Sequence, residues 1–267
     1  MHLALLHQGR PALLRVEGPP GAPVALFFHP FPLHADVWDA LLLACAEAGI
    51  CAAALDAPGF GGTPPLGAPL TMDAIAELGA CALDTLGAGR AAIVGNSMGG
   101  YAAMAFVRRF PERVQATALI ATKAGTDGPE AQKARETQAL AVLERGPQVV
   151  TSALLARVFG ANPPEGARER FAALASRATA QGIADAMRGM ALRRDSGPDL
   201  ARWTAPTLVI AGDHDAIMPL ADLEALARGI PGARLEVIAG AGHLPYLEQP
   251  AQVARLLTAH LRATLLA

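Results

Sequence analysis

Gly95-Asn96-Ser97-Met98-Gly99 is the stretch whose residue types and spacing most directly promise chemistry. A Gly-x-Ser-x-Gly run between a strand and a helix forms a nucleophile elbow. Small residues let neighbouring backbones crowd a sharp, strained turn, and the turn pushes the serine hydroxyl out at the carboxyl edge of a sheet. The context fits, because the apolar run 91–94 precedes it and a helical pattern over 97–110, stopped by Pro111, follows it. The chain has four serines, Ser97, Ser152, Ser176 and Ser196, and glycine makes up about a tenth of it. The chance of one serine being so flanked is about 4% before that context is counted, so coincidence is a poor account.

A serine hydroxyl needs a base. In an elbow of this kind the acid and then the histidine follow the serine in the chain, which leaves His214, His243 and His260. His243 ends the turn Gly240-Ala241-Gly242-His243 just after an apolar strand pattern over 234–238, at the sheet edge expected for Ser97. His260 falls within the last helical pattern, where a solvated position is expected, and His214 would need a different acid. The loop Gly212-Asp213-His214-Asp215 offers two carboxylates to orient the base. Asp215 lies further into the loop and can turn toward the site; Asp213, nearer the strand end, suits bracing the loop through backbone hydrogen bonds. The residues alone leave both open. For the oxyanion, one donor is the Met98 N–H directly after the nucleophile. The other should come from His29-Pro30-Phe31-Pro32, where the prolines have no N–H and Phe31 does. His29 itself suits pinning neighbouring loops.

These groups need a scaffold. Two apolar runs, 3–7 and 12–16, flank Gln8-Gly9-Arg10 as a hairpin. Strand patterns over 24–28, 50–55, 91–94, 114–121, 207–211 and 234–238 then alternate with helical ones over 36–49, 71–86, 97–110, 220–228 and 250–265. Asp36 is the expected N-cap of the first helix and Gly49 its stop. Such alternation predicts an α/β fold, a mostly parallel sheet covered by helices on both faces, with the hairpin as its antiparallel edge. From 122 to 203 the strand signal stops, and helical patterns break at Gly146-Pro147, between Gly160 and Pro164, and at Gly197-Pro198. This stretch is too long for a loop, so an inserted helical lid (122–203) on a core of 1–121 and 204–267 is expected. Its apolar residues, Leu155 and Phe159 among them, are expected to set acyl-length preference.

Composition narrows the classes. The chain has 267 residues, is 52% hydrophobic and 17% charged, and so can bury a large core, unlike a disordered chain. The 22 Lys and Arg against 24 Asp and Glu give no basic face for nucleic acid. The insert carries 12 basic against 9 acidic residues, an imbalance that assigns no substrate charge. Cys45, Cys51 and Cys81 form neither a disulfide framework nor a zinc pattern, which favours a reducing compartment. No stretch reaches the roughly 20 apolar residues of a membrane span, and the first residues lack a signal-peptide pattern. A cytoplasmic protein with a small-molecule substrate is expected, with no cofactor, metal, nucleic acid or membrane partner; its oligomeric state is open.

Together with Asp56-Ala57-Pro58-Gly59-Phe60-Gly61 and Pro206-Thr207-Leu208-Val209-Ile210-Ala211-Gly212, these motifs resemble the α/β-hydrolase superfamily over essentially the whole chain. The chain looks closest to lid-bearing bacterial carboxylesterases and lactonases, including proteins like 3-oxoadipate enol-lactonase. The resemblance implies Ser97, Asp215 and His243 as the triad. Pro30 stands where such proteins usually carry Gly. Haloalkane dehalogenases and epoxide hydrolases of this fold need Asp at the Ser97 position and are excluded. What the resemblance implies is a serine hydrolase that cleaves a small, mainly apolar ester or lactone through an acyl-enzyme. The alternatives are a carbon–carbon bond hydrolase of the meta-cleavage type and a triad-bearing signalling receptor.

Overall fold

The computed structural model describes residues 1–266. Eight strands form one sheet: β1 (His2–His7), β2 (Arg10–Glu17), β3 (Val24–Phe28), β4 (Cys51–Leu55), β5 (Ala91–Asn96), β6 (Val114–Ile120), β7 (Thr207–Gly212) and β8 (Arg234–Ile238). Their order is β1-β2-β4-β3-β5-β6-β7-β8. β2 runs antiparallel to both β1 and β4, and every pairing from β4 to β8 is parallel. The hairpin is therefore the antiparallel edge. Its turn is tighter than the sequence suggested, since His7 already pairs with Arg10 across Gln8 and Gly9, both at positive φ.

The helices are α1 (Asp39–Glu47), α2 (Met72–Thr85), α3 (Met98–Arg109), α4 (Pro129–Arg145), α5 (Gln148–Leu155), α6 (Ala167–Ala175), α7 (Ala180–Ala191), α8 (Leu220–Gly229), α9 (Pro245–Glu248) and α10 (Pro250–Leu265). Alternation along the buried strands explains why they lie on both faces. In β3, Val24, Leu26 and Phe28 join the core beneath α2 and α3, while Ala25 and Phe27 join the core beneath α1 and α10. One expectation fails locally. The first helix begins at Asp39, after a 3₁₀ turn over Ala35–Trp38, so Asp36 is not its N-cap. The Asp36 carboxylate instead accepts from Arg15 Nη1 at 3.1 Å.

α4 to α7 form a helical insert between β6 and β7. It meets the core at Gly182 of α7, which crosses the loop at Gly59; a Cβ on Gly182 would lie 2.4 Å from Gly59 Cα and O. Alanine usually stabilises a helix relative to glycine by about 0.5–1 kcal/mol. Here the contact is with backbone, which cannot step aside, and overpacking of that kind costs about 1–3 kcal/mol. Steric cost wins. Gly182→Ala should lower the melting temperature by roughly 2–4 °C, as a net loss near 1 kcal/mol does in a chain of this size. Gly128→Ala, whose Cβ would meet nothing within 4 Å, is the control. An unchanged or raised melting point for Gly182→Ala would refute the packing argument.

Candidate active site

The carboxyl ends of β3 and β5 lie side by side, with Phe28 paired to Gly95, although β4 falls between them in the chain. At such a switch point the loops diverge and leave a crevice. Ser97 follows β5 at φ 54° and ψ −116°, a conformation that costs a non-glycine residue about 1–3 kcal/mol. Its surroundings hold it there. Ser97 N–H donates to Ile120 O at 3.0 Å, and Thr122 Oγ1 donates to Ser97 O at 2.9 Å. A Cβ on Gly95 would lie 2.2 Å from Gly99 O, and one on Gly99 would lie 1.9 Å from Phe28 O. The glycines are there because the backbone leaves no room for a side chain.

Two backbone amides near Ser97 are unengaged. Met98 opens α3, so its N–H is one of the unpaired amides of a helix start. Phe31 lines the same cavity as Ser97. Among the described residues, neither the Met98 N–H nor the Phe31 N–H has a hydrogen-bond acceptor. Unengaged amides at this edge can receive a developing oxyanion.

Asp215 and His243 come together as a pair. Asp215 Oδ2 lies 2.7 Å from His243 Nδ1, with side chains 1% and 4% exposed. Asp215 Oδ1 accepts from the N–H groups of Ile217 and Met218, both at 2.8 Å, which fixes the carboxylate. A carboxylate on Nδ1 keeps the ring proton there and leaves Nε2 able to accept. His243 and Ser97 line one cavity, with no hydrogen bond between them in this structure. Asp213 is exposed and accepts from Gly240 N–H at 2.6 Å, bracing the neighbouring loop. His260 is not solvated as expected: half-buried, it donates from Nε2 to Thr117 O at 3.0 Å.

The shared cavity measures about 350 Å³. Val149, Val150, Ala153 and Leu154 of α5 form an apolar wall with Met187 and Met190 of α7. Leu155 and Phe159 are not part of it, contrary to expectation. Leu155 is on the other side of α5, toward α6, and Phe159 is buried against Phe171 at 6.2 Å. Lys123, Asp127, Arg135, Gln138 and Arg157 add a polar part to the lining.

Some residues here carry no sequence signal beyond being polar. Asn96 is fully buried; its Nδ2 donates to Ile120 O at 2.9 Å and His243 O at 3.4 Å, and its Oδ1 accepts from Tyr246 Oη at 2.9 Å. Glu248 accepts from Gly242 N–H at 2.7 Å and Gly160 N–H at 2.8 Å, tying the His243 loop to the insert. Burial raises the Glu248 pKa against the pull of those two bonds. A buried asparagine at the end of an apolar strand was the one readable hint.

Among the described residues, no helix is long and apolar enough to cross a membrane, and no group of three His, Cys, Asp or Glu side chains is placed to hold a metal. The sequence profile of the alpha/beta hydrolase fold matches residues 23–250. The chain is 30% identical to a pimeloyl-[acyl-carrier protein] methyl ester esterase of Chromobacterium violaceum, covering 90% of this chain and 94% of that protein. It is 30% identical to a 2-hydroxy-6-oxononadienedioate/2-hydroxy-6-oxononatrienedioate hydrolase of Burkholderia vietnamiensis, over 82% and 79%. A thermophilic esterase from Thermogutta terrifontis, solved with malate bound, superposes with a TM-score of 0.93 at 32% identity, over 99% of both chains.

His29 pins two loops at this edge. Its Nε2 accepts from Ala57 N–H at 3.0 Å, and its Nδ1 donates to Pro30 O at 3.0 Å. Burial lowers its pKa from 6.5 to about 4, outweighing the Pro30 bond. The unfolded chain therefore takes up a proton that the folded chain refuses. This contribution is absent above pH 6.5, destabilises increasingly as pH falls toward 4, and levels off below; the whole gap is worth roughly 3 kcal/mol. In His29→Gln the amide oxygen can accept the Ala57 N–H and does not titrate. Urea midpoints measured between pH 7 and 4 should fall less steeply for that variant than for the wild type. Parallel curves would show that His29 is not the titrating group.

Proposed function

The chain belongs to the alpha/beta hydrolase fold family, and we propose that it is a serine hydrolase cleaving a small carboxylic ester or lactone, mainly apolar, through an acyl-enzyme. Ser97 Oγ attacks the carbonyl carbon while His243 Nε2 takes its proton. Asp215 holds the Nδ1 proton and stabilises the imidazolium. The Phe31 and Met98 N–H groups receive the oxyanion, and His243 passes its proton to the leaving alcohol. Water, deprotonated by the same ring, then releases the acid and restores Ser97. No cofactor enters this sequence of steps. The insert, 122–203, serves as a lid over a core of 1–121 and 204–267.

The observation that carries the reading is the 2.7 Å contact between His243 Nδ1 and Asp215 Oδ2, on a cavity that His243 shares with Ser97. Likeness to two esterases supports ester chemistry. Likeness to the nonadienedioate hydrolase favours a second reading, hydrolysis of a carbon–carbon bond next to a ketone. A coloured vinylogous dienoate separates the two, and decay far faster than that of simple esters would favour the second.

An ester panel of increasing acyl length, run with and without a serine-directed phosphonate, tests the first reading. Turnover should stop as one adduct forms on Ser97. Leu154→Ala, by widening the apolar wall, should move the acyl-length optimum up by about one or two carbons. The acid is tested separately. Asp215→Asn keeps size but removes charge and favours the wrong tautomer, so kcat should fall up to about 10⁴-fold, roughly 5 kcal/mol of barrier. Asp213→Asn can still accept the Gly240 N–H and should lose less than about tenfold. If Asp213→Asn is the crippled variant, the acid has been misassigned.

A further inference from the structure

The cavity that holds Ser97 has an unbalanced polar wall. Lys123, Arg135 and Arg157 line it, against one acid, Asp127. Asp127 is already engaged twice, by Arg135 Nε on one oxygen and by Arg193 Nη2 on the other at 2.8 Å. The two guanidiniums hold its carboxyl well below the usual carboxylate range against the effect of its burial, so the acid is ionised and its charge already faces two cations. Arg157 spends one N–H on Ala216 O at 2.8 Å and faces no carboxylate. Half-buried Lys123 has neither a hydrogen bond nor an ion pair among the described residues.

An ammonium drawn out of water without a counter-charge costs free energy, and a low-dielectric cleft amplifies the field of its excess charge. Lys123 also stands close to the reacting group. It directly follows Thr122, whose hydroxyl donates to Ser97 O, and Thr122 packs so tightly on the elbow that a Cβ on Gly100 would lie 2.4 Å from Thr122 Oγ1. The apolar lining of the same cavity, Val150, Leu154 and Met187, suits a short hydrocarbon stem.

We propose that the substrate of this site carries a free carboxylate on its acyl part, a few carbons from the reacting carbonyl, and that Lys123 receives it with Arg157 at the rim. The substrate class is then the half-ester of a short dicarboxylic acid. The stem is apolar and the end is charged. This rests on the ester-hydrolase reading above for its reaction, though not for its binding chemistry.

The test compares 4-nitrophenyl hemiglutarate with 4-nitrophenyl 5-methylhexanoate, in which an isopropyl group replaces the carboxylate at nearly equal size. The wild type should prefer the hemiglutarate by at least tenfold in kcat/KM at low salt, and 0.5 M NaCl should shrink that ratio. Lys123→Met should cut the ratio about tenfold, equal to about 1.4 kcal/mol, and Lys123→Glu should reverse it. Lys123→Arg, which keeps the charge, should hold the ratio within about threefold and covers the case in which Lys123→Met folds poorly. A wild-type ratio near one, or a ratio unmoved by Lys123→Met in a folded protein, would overturn the proposal. Calorimetry with glutarate separates the two readings. Binding by Ser97→Ala that weakens at least tenfold in the double variant with Lys123→Met supports the carboxylate site even if no ester is turned over. Absence of glutarate binding alongside normal ester turnover sinks the carboxylate site alone.

Discussion

Between β3 and β5 the backbone passes closer than any side chain allows, and the rest of the site follows from that crowding. With Gly99 against Phe28 O, the start of α3 presses directly on the loop that leaves β3. That contact sets the Met98 N–H and the Phe31 loop at one edge, and it forces the turn in which Ser97 takes positive φ. The strain at Ser97 is affordable because β5 is buried along its whole length and paired on both sides. A looser sheet would relax the serine into the helix and turn its hydroxyl away from the cavity.

The proposed base is held by a second set of contacts that reaches into the insert. His243 N–H donates to Val158 O at 2.8 Å, and Glu248 joins Gly242 to Gly160. From the core side, Asn96 meets both His243 O and Tyr246 Oη, and Tyr246 stacks on Trp38 at 4.4 Å. The loop carrying His243 is thus fastened to the strand that carries Ser97 and to the segment that leaves α5. Glu248 must stay ionised to accept from two amides at once, and its burial works against that. A displacement of the insert would therefore be felt at the imidazole through the backbone.

Sequence carried the architecture well because its signal is additive. Continuous apolar runs for buried strands, breakers at their ends and the small residues of the elbow each point the same way. The order of serine, aspartate and histidine in the chain pointed to one sheet edge, and whether such groups meet depends on strand order, which the alternation implies. Asp36 misled because a capping residue looks the same whether it closes a helix or pairs with an arginine from a strand, as it does with Arg15. Leu155 and Phe159 misled for a related reason. An amphipathic helix declares that it has an apolar face, but α5 has two, one toward the cavity and one toward α6, and only packing assigns them. Asn96 and Glu248 act through backbone groups remote in the chain, and nothing in local composition records such partners.

Charge was the least legible quantity, and the reason is physical. The insert's excess of basic residues is a sum, while recognition depends on which charges lack partners where water is scarce. Arg188 meets Glu136, Arg170 meets Asp39, and Arg194 and Arg202 share Asp199, all on exposed or half-exposed surface where such pairs contribute little. Arg135 and Arg193 neutralise Asp127 inside the fold. Removing the paired groups leaves few charges, and where each one sits matters more than their number; Lys123 and Arg157 line the cavity. A half-buried, unpaired ammonium in a cavity lined partly by Val, Leu and Met is a different object from the same ammonium on a surface, because apolar neighbours solvate it less well than water does. The chain's overall charge of −2 contains that lysine and says nothing about it.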